Sequence, residues 1–299
     1  MISILIPTYN AGPYIRLLLE GLYSQQVDEP IEIIITDSSS TDDTVQVIRE
    51  YPGVQLEVIP NASFDHGSTR NTMASRASGD YLLFMTQDAL PCDDKLLARL
   101  LACCRQQQAA ACYARQIPRE QAHELEVFAR TFNYPSQSLE KNKQRLAELG
   151  IKTYFSSNVC CMYKAEVFFA LGMFPEKIIL NEDMIFAQRA ISRNYSVHYC
   201  AEAQVFHSHN YTLTQQFKRY FDIGMAFQHT WQDFAHVSNE KEGLRMVRRQ
   251  IRHLYHRRKL RLVPYALLDT AAKFIGYNLG KRHRLLPHGL KRKYSLYLK

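Results

Sequence analysis

The sequence predicts an α/β fold, in which a mostly parallel sheet carries helices on both faces and a helical, basic extension follows at the C-terminus. The first 85 residues alternate short apolar, β-branched runs with segments of helical periodicity, which is the order typical of a parallel sheet. After about residue 212, helical patterns dominate and basic side chains accumulate.

Four strands and three helices are predicted in the first part of the chain. The strands are expected at 2–8, 31–36, 54–59 and 81–85. The first helix has Asn10 as its expected cap and Pro13 in its first turn; the second covers 44–50, and the third passes through Asn71 and Ala77. Ligands of such sheets bind beyond the carboxyl ends of the strands, so binding residues are expected just after each strand.

The middle of the chain is less regular. Its predicted helices cover 95–108, 140–149 and 181–192, and its predicted strands cover 196–199 and 204–207. The seven cysteines are odd in number and form no C-x-x-C pair. We therefore expect buried free thiols in a reducing compartment, and neither a disulfide framework nor a zinc site.

The charge is distributed unevenly. Residues 241–299 hold 17 Lys or Arg and two Asp or Glu, a net charge of +15, whereas residues 1–240 hold 20 basic and 27 acidic side chains, a net charge of −7. The sequence shows neither the features of a signal peptide nor an apolar run of about 18 residues, so no membrane-spanning helix is expected. An acidic body with a basic tail suggests two separate tasks.

Two carboxylates follow predicted strands. Asp37 closes the second strand, and Asp88 lies just beyond the fourth, next to Gln87. A carboxylate in this position can accept an N–H group of a nucleotide base or hold a hard cation. Asp is also common in ordinary turns, but the occurrence of both residues together favours a binding site.

Several motifs resemble the family 2 glycosyltransferases. They are ILIPTYN at 4–10, TDSSSTDDT at 36–44, RN at 70–71, GDY at 79–81 and TQD at 86–88. The resemblance, which runs from residue 1 to about 230, implies an inverting enzyme with the GT-A fold, a Rossmann-like nucleotide-binding half joined to an acceptor half. FDHGSTRN at 64–71, TQDA at 86–89 and HSHNY at 207–211 are similar to the bacterial rhamnosyltransferase subgroup.

The resemblance implies roles for the residues that would bind a nucleoside-diphosphate sugar. Asp37 would accept the N3–H of uracil or thymine, and Arg70 would face the diphosphate. His66 would contact the donor sugar or serve an ordinary loop role. The full set of expected donor-binding residues is Pro7, Thr8, Tyr9, Asp37, His66, Arg70, Gln87 and Asp88.

A divalent cation, Mg²⁺ or Mn²⁺, is also implied. Asp88 matches the last Asp of the family's D-x-D motif, but Thr86 stands in place of the first. His207 is the expected second ligand, with His209 as the alternative. The cation and Arg70 would stabilise the negative charge that grows on the nucleoside diphosphate as it leaves.

Glu182 and Asp183 are expected in the first turn of a helix. Acids in that position often only complement the helix dipole. The resemblance instead matches Asp183 to the catalytic base that deprotonates the attacking hydroxyl, with Glu182 as the fallback, in contact with the acceptor.

Basic and apolar residues are interleaved after residue 240 at the spacing of an amphipathic helix. The basic ones are Arg245, Arg248, Arg249, Arg252, Arg257, Arg258, Lys259 and Arg261. Such a helix binds an anionic membrane surface, nucleic acid or an acidic partner, or is only a solvated face. The membrane is favoured, because the resemblance implies lipid-linked acceptors; no nucleic-acid partner is expected.

The predicted organisation is a catalytic domain at 1–230, with a donor-binding half at 1–110 and an acceptor half at 111–230, and a helical extension at 231–299. The expected reaction is transfer of L-rhamnose from dTDP-L-rhamnose to a polyprenyl-diphosphate-linked glycan of a bacterial O-antigen or capsule. The expected location is cytoplasmic, on the inner face of the cell membrane. A UDP-sugar donor is the alternative. A nucleic-acid-binding protein is a remote one, because it leaves the carboxylates at the strand ends unexplained.

Overall fold

The computed structural model describes residues 1–230, 234 and 240–298. The chain forms two compact units. Unit 1 comprises residues 1–119, 134–177 and 182–208, and unit 2 comprises residues 120–133, 178–181 and 209–299. The predicted division at residue 230 stays a prediction, and residues 231–233 and 235–239 of the predicted extension lie outside the described residues.

Unit 1 contains the sheet. In chain order, strands β1 to β9 are Ile2–Thr8, Ile31–Asp37, Val54–Val58, Tyr81–Met85, Leu90–Pro91, Ala109–Ile117, Leu139–Lys141, Cys160–Lys164 and Ser196–Phe206. Their order in the sheet is β3-β2-β1-β4-β8-β6-β9-β5, and β7 pairs with β9. The apolar strands β1, β2 and β4 are buried on both faces, as expected for central parallel strands.

Strand directions bring many chain segments to one edge of the sheet. β1 is parallel to both β2 and β4, and β6 is parallel to β9. β8 is antiparallel to both β4 and β6. The carboxyl ends of β1, β2, β4, β6 and β9 therefore lie at the same edge, where β8 begins. This edge is called the site edge below.

Helices α1 to α12 of the described residues are Gly12–Tyr23, Thr44–Arg49, His66–Arg76, Leu96–Cys104, Glu124–Asn133, Leu146–Leu149, Ala165–Ala170, Glu182–Ser192, Leu213–His229, Glu240–His256, Val263–Lys281 and His288–Tyr294. The buried faces of α1 and α4 pack with the sheet in one apolar core, which includes Ile4, Leu18, Leu83, Leu100 and Val205. The predicted α/β class and the helical C-terminal region are confirmed.

Some predicted elements are wrong in detail. Ala11, not Asn10, is the residue before α1; Asn10 has a left-handed φ of 51° and its side chain accepts the N–H of Thr41 at 2.9 Å. Residues 196–199 and 204–206 belong to one strand, β9, and His207 follows it. The predicted helix at 95–108 is shorter, Leu96–Cys104.

The predicted helix at 140–149 is also wrong. Its first residues form β7, which pairs with β9, and only Leu146–Leu149 is α-helical. Asn142 separates the two, because it is extended and its side chain accepts the N–H of Arg145, capping a short 3₁₀ turn.

The expectation that all cysteines are free thiols is wrong for one pair. Cys103 on α4 and Cys200 on β9 form a disulfide across 97 positions of the chain. Packing of α4 on β9 brings the two residues together, which their spacing in the sequence does not reveal. The other five cysteines are free, and four of them are buried.

Unit 2 is helical. α9 and α11 approach so closely that a Cβ atom at Gly224 would lie 2.2 Å from the carbonyl oxygen of Tyr277. Likewise, a Cβ at Gly276 or Gly280 would lie 2.3 or 2.0 Å from a carbonyl oxygen of α9. Only glycine fits such a backbone-to-backbone seam. None of the helices in the described residues is long and apolar enough to cross a membrane.

Candidate active site

The ends of β1 and β2 form the first part of the site. Thr8 and Asp37 are paired in register, and the Thr8 hydroxyl donates to Asp37 Oδ2 at 2.8 Å. Ser40 adds a backbone N–H to Oδ1 at 2.8 Å and its hydroxyl to Oδ2 at 2.6 Å. Asp37 is fully buried, so its carboxylate orders the loop after β2.

Gln87 joins the loops after β1 and β4. Its side-chain amide accepts the backbone N–H of Tyr9 at 2.7 Å and donates to the Tyr9 carbonyl at 3.0 Å. The Tyr9 side chain remains 47% exposed, which leaves its ring available to a planar ligand. Pro7, which precedes it in β1, is half-buried and in register with Thr36.

Asp88 and His207 form a second group. Asp88 follows β4 and His207 follows β9, so two distant segments meet at the site edge. Asp88 Oδ2 lies 3.2 Å from His207 Nδ1, and both residues are buried. His209, the alternative ligand, belongs to unit 2, where its backbone N–H donates to Glu126 at 3.2 Å.

Arg119, a residue that the sequence analysis missed, supports Asp88. It lies just past the end of β6 and donates to the Asp88 carbonyl. Its guanidinium also lies 4.5 Å from the centre of the Tyr14 ring, a cation–π contact. A single Arg after a strand gives no signal of this role in the sequence.

The start of α3 forms the third group. Asp65 caps the helix by accepting the N–H groups of Gly67 and Ser68. A Cβ at Gly67 would lie 1.9 Å from the carbonyl oxygen of Pro175, so glycine is required there. Arg70 Nη1 donates to the His66 carbonyl at 2.9 Å and lies 3.2 Å from His66 Nδ1.

The side chain of Arg70 is directed at an acid. Arg70 Nη1 lies 3.4 Å from Glu182 Oε1, and both side chains are buried. The predicted role of Arg70 towards a diphosphate stays a prediction, and in this structure the guanidinium balances the charge of Glu182.

Asn158 contacts both acids at the start of α8. Its backbone N–H donates to Asp183 Oδ2 and its side-chain Nδ2 donates to Glu182 Oε1, each at 3.0 Å. The Tyr163 hydroxyl fixes the orientation of the amide by donating to Asn158 Oδ1 at 2.7 Å. Asn158 precedes β8 and therefore lies at the site edge; the sequence analysis did not single it out.

The pKa values of the two acids are shifted in opposite directions. Burial alone would raise the pKa of Glu182, but the positive charges of Arg70 and His66 and the Asn158 hydrogen bond lower it overall. Burial and the negative charge of Glu182 raise the pKa of Asp183 to about 7. Asp183 is thereby suited to accept a proton near neutral pH, whereas Glu182 is held as a carboxylate.

The structure thus groups the predicted residues into four clusters at the site edge. They are Thr8 with Asp37, Tyr9 with Gln87, Asp88 with His207, and His66 and Arg70 with Glu182 and Asp183. Within this edge, one cluster suits a cation and another suits proton transfer.

The Asp88–His207 pair fits a divalent cation. Two ligand atoms at octahedral metal distances of about 2.1 Å are about 3 Å apart, close to the observed 3.2 Å. Thr86 replaces a carboxylate of the D-x-D motif. Its buried hydroxyl oxygen has no hydrogen-bond partner among the described residues, so a further oxygen is available near Asp88.

Two bacterial proteins resemble the chain over its whole length. It is 42% identical to the O-antigen chain rhamnosyltransferase WbaN of Salmonella anatum, over 99% of this chain and 94% of the relative. It is 40% identical, with the same coverage, to the O-antigen chain rhamnosyltransferase RfbN of Salmonella typhimurium.

Solved structures share the fold at low sequence identity. The mannosyltransferase PcManGT of Pyrobaculum calidifontis, in complex with GDP-Man and Mn²⁺, has a TM-score of 0.59 at 17% identity, over 98% of this chain and 82% of that one. Staphylococcus aureus TarS residues 1–349, in complex with UDP-GlcNAc, has a TM-score of 0.58 at 17% identity, over 99% and 93%. These neighbours confirm the predicted GT-A fold.

The family model described as Glycosyl transferase family 2 matches residues 3–172, which contain β1 from its second residue, β2 to β4 and all of the clusters above except Glu182, Asp183 and His207. The family match and the two full-length relatives agree with the geometry of the site edge. The chain therefore belongs to glycosyl transferase family 2 and is a glycosyltransferase with the GT-A fold.

Proposed function

We propose that this enzyme transfers L-rhamnose from dTDP-L-rhamnose, with inversion, to a hydroxyl of a growing bacterial O-antigen. The observation that carries the proposal is the identity of 42% and 40%, over 99% of the chain, to two O-antigen chain rhamnosyltransferases. The motifs around Asp65–Asn71 and Thr86–Ala89 fall in clusters of the site edge, which supports the same conclusion.

Proton transfer is assigned to Asp183. Inverting transfer needs one base beside the attacking hydroxyl, and a base works best when its pKa is close to the working pH. The pKa of about 7 at Asp183 meets this requirement. Asn158 orients the carboxylate, burial raises its pKa, and the charge of Glu182, which is tied to Arg70 and Asn158, raises it further.

The donor is proposed to bind along the loops after β1, β2 and β4. Tyr9, held by Gln87, offers an exposed ring for the pyrimidine base. Asp88 and His207 would hold Mg²⁺ or Mn²⁺, which would stabilise the charge on the leaving diphosphate. Arg119 fixes the backbone of Asp88 and so orients this carboxylate.

The acceptor and location are proposed from the family and from charge. The acceptor is a polyprenyl-diphosphate-linked glycan, and the enzyme works in the cytoplasm on the inner face of the cell membrane. The net charge of +15 in residues 241–299 supports attraction to anionic lipids. A stretch of 90 residues is also 31% identical to TarS, named as an N-acetylglucosaminyltransferase, which keeps a UDP-sugar donor as the second candidate.

Calorimetric titration separates the two donors. The protein is titrated with dTDP-rhamnose, UDP-glucose and UDP-N-acetylglucosamine, each with Mg²⁺ or with EDTA. Metal-dependent binding of the thymidine donor alone is expected. Preference for a uridine donor would change the proposed donor sugar but not the proposed mechanism. If no donor were bound, the proposed function would be overturned.

A further inference from the structure

Helix α11 carries a stripe of large apolar side chains on its outer face. The stripe comprises Leu267, Leu268, Phe274 and Ile275, which are 50%, 57%, 69% and 50% exposed. Leu267 and Phe274 are seven residues apart, as are Leu268 and Ile275, and the two pairs are adjacent in sequence, so all four side chains lie on one side of the helix. Monomeric proteins rarely expose a contiguous group of large apolar side chains unless that surface binds a partner.

The opposite side of α11 accounts for the packing of this helix in unit 2. Gly276 and Gly280 form the seam with α9, and Ala266 and Asp269 are buried on the same side. The stripe is therefore not needed to attach α11 to its neighbours.

The exposed charged side chains at both ends of the stripe are basic. Arg261 precedes α11, and Lys281, Arg282 and Arg284 follow the stripe at the other end; all four are exposed. Asp269, which is the one acid in residues 243–298, is buried and paired with Lys273 at 2.7 Å. Within residues 243–298 the exposed charge is thus entirely positive.

A second copy docked through the same surface does not match it, because two strongly basic segments would be brought together. Nucleic acid would match the charge, but an apolar stripe forms no hydrogen bonds with phosphates or base edges. An anionic lipid surface matches both features: its headgroups attract the basic ends, and its acyl boundary accepts the apolar side chains.

We propose that α11 lies flat in the surface of an anionic membrane, with Leu267, Leu268, Phe274 and Ile275 inserted below the headgroups and the basic residues at both ends among them. This assigns the insertion to α11 and not to the strongly basic helix α10. The inference rests on the proposed membrane association and specifies the surface that mediates it.

The test measures flotation of the full-length protein with vesicles of phosphatidylcholine alone or with 30% phosphatidylglycerol. The wild type is expected to bind the anionic vesicles. Leu268→Gln with Phe274→Gln leaves the charge unchanged and is expected to lower the partition coefficient by about tenfold or more. Leu17→Gln on α1, where the wild-type side chain is 55% exposed, is the matched control and is expected to bind like the wild type.

A second variant separates charge from insertion. The double variant Arg282→Gln/Arg284→Gln is expected to bind anionic vesicles more weakly than the wild type. Its binding should also fall less than that of the wild type at high salt, because screened charges contribute less. Donor binding by calorimetry and the melting temperature are measured on every variant and are expected to stay at wild-type values.

Three outcomes would overturn the inference. They are a wild type that stays unbound with anionic vesicles, a double variant Leu268→Gln/Phe274→Gln that binds like the wild type, and a concentration-dependent dimer that this variant abolishes. Each can occur while donor binding is intact, so failure of the inference is distinguishable from failure of the proposed function.

Discussion

Two carboxylate clusters at the site edge differ in the neighbour that each acid has. Asp88 lies beside the imidazole of His207, which in its neutral form can share a cation with it. Asp183 lies beside Glu182, a second carboxylate whose own charge Arg70 balances. The same functional group is thereby suited to hold a metal in one cluster and to accept a proton in the other. Burial together with the neighbouring group, and not the residue type, separates the two roles.

The largest expected effect is that of Asp183→Asn, which removes the proposed base and keeps the shape of the side chain. Turnover should fall by about 10²- to 10⁴-fold, while donor affinity by calorimetry stays near the wild-type value. Asp28→Asn, at an exposed acid of unit 1, is the control for loss of a negative charge. Turnover like that of the wild type would remove Asp183 as the base.

Asp88→Asn should act on binding instead. It weakens the cation site, so donor affinity in Mg²⁺ should fall by about tenfold or more and should approach the affinity in EDTA. His207→Ala is expected to change affinity in the same direction. If Asp88→Asn retained the full difference between Mg²⁺ and EDTA, the two clusters would not divide the work as proposed.

Glu182→Gln tests the electrostatic part of the comparison. The wild type should lose turnover as the pH falls through about 7, because Asp183 becomes protonated. Removal of the Glu182 charge removes a cause of the raised pKa, so this acid limb should move to lower pH by about one unit. If the acid limb of the pH profile of kcat stayed at the same pH in this variant, the charge of Glu182 would not control the pKa of the group that limits turnover.

Asn158→Ala is expected to have the smallest effect on turnover, since the backbone N–H that contacts Asp183 remains. The lost amide removes one buried hydrogen bond from Glu182, which keeps its contact with Arg70, and one from the Tyr163 hydroxyl, at a cost of about 1–3 kcal/mol in the free energy of unfolding. Urea denaturation measures it. Asn278→Ala, which removes an exposed amide that donates within its own helix to the Phe274 carbonyl, is the control and should cost less.

Much of the site edge was predictable because its signals are local. Asp37 and Asp88 directly follow apolar runs, and parallel strands end at one edge, so their meeting follows from the strand pattern. Glu182 and Asp183 were placed by the family motif. Their opposite pKa shifts required the buried contacts with Arg70 and Asn158, which lie far apart in the sequence.

The missed residues belong to elements with weak signals. β6 begins with Ala109, Ala110 and Ala111, and β8 begins with two cysteines, so neither strand shows the β-branched enrichment that marks β2. The sequence also does not reveal that β8 runs opposite to its neighbours. That reversal brings Asn158, which precedes a strand, to the edge where Arg119 follows one.

The glycine seam between α9 and α11 has a consequence for how unit 2 can change. An ordinary surface helix uses its large apolar residues to attach itself, so altering them weakens the fold. α11 meets α9 closely at Gly276 and Gly280, and the stripe residues Leu267, Leu268, Phe274 and Ile275 are exposed on its other side. The size and hydrophobicity of the side chains on its outer face can therefore change during evolution with little loss in the free energy of unfolding. By contrast, a single methyl group added at either glycine would force the two helices apart.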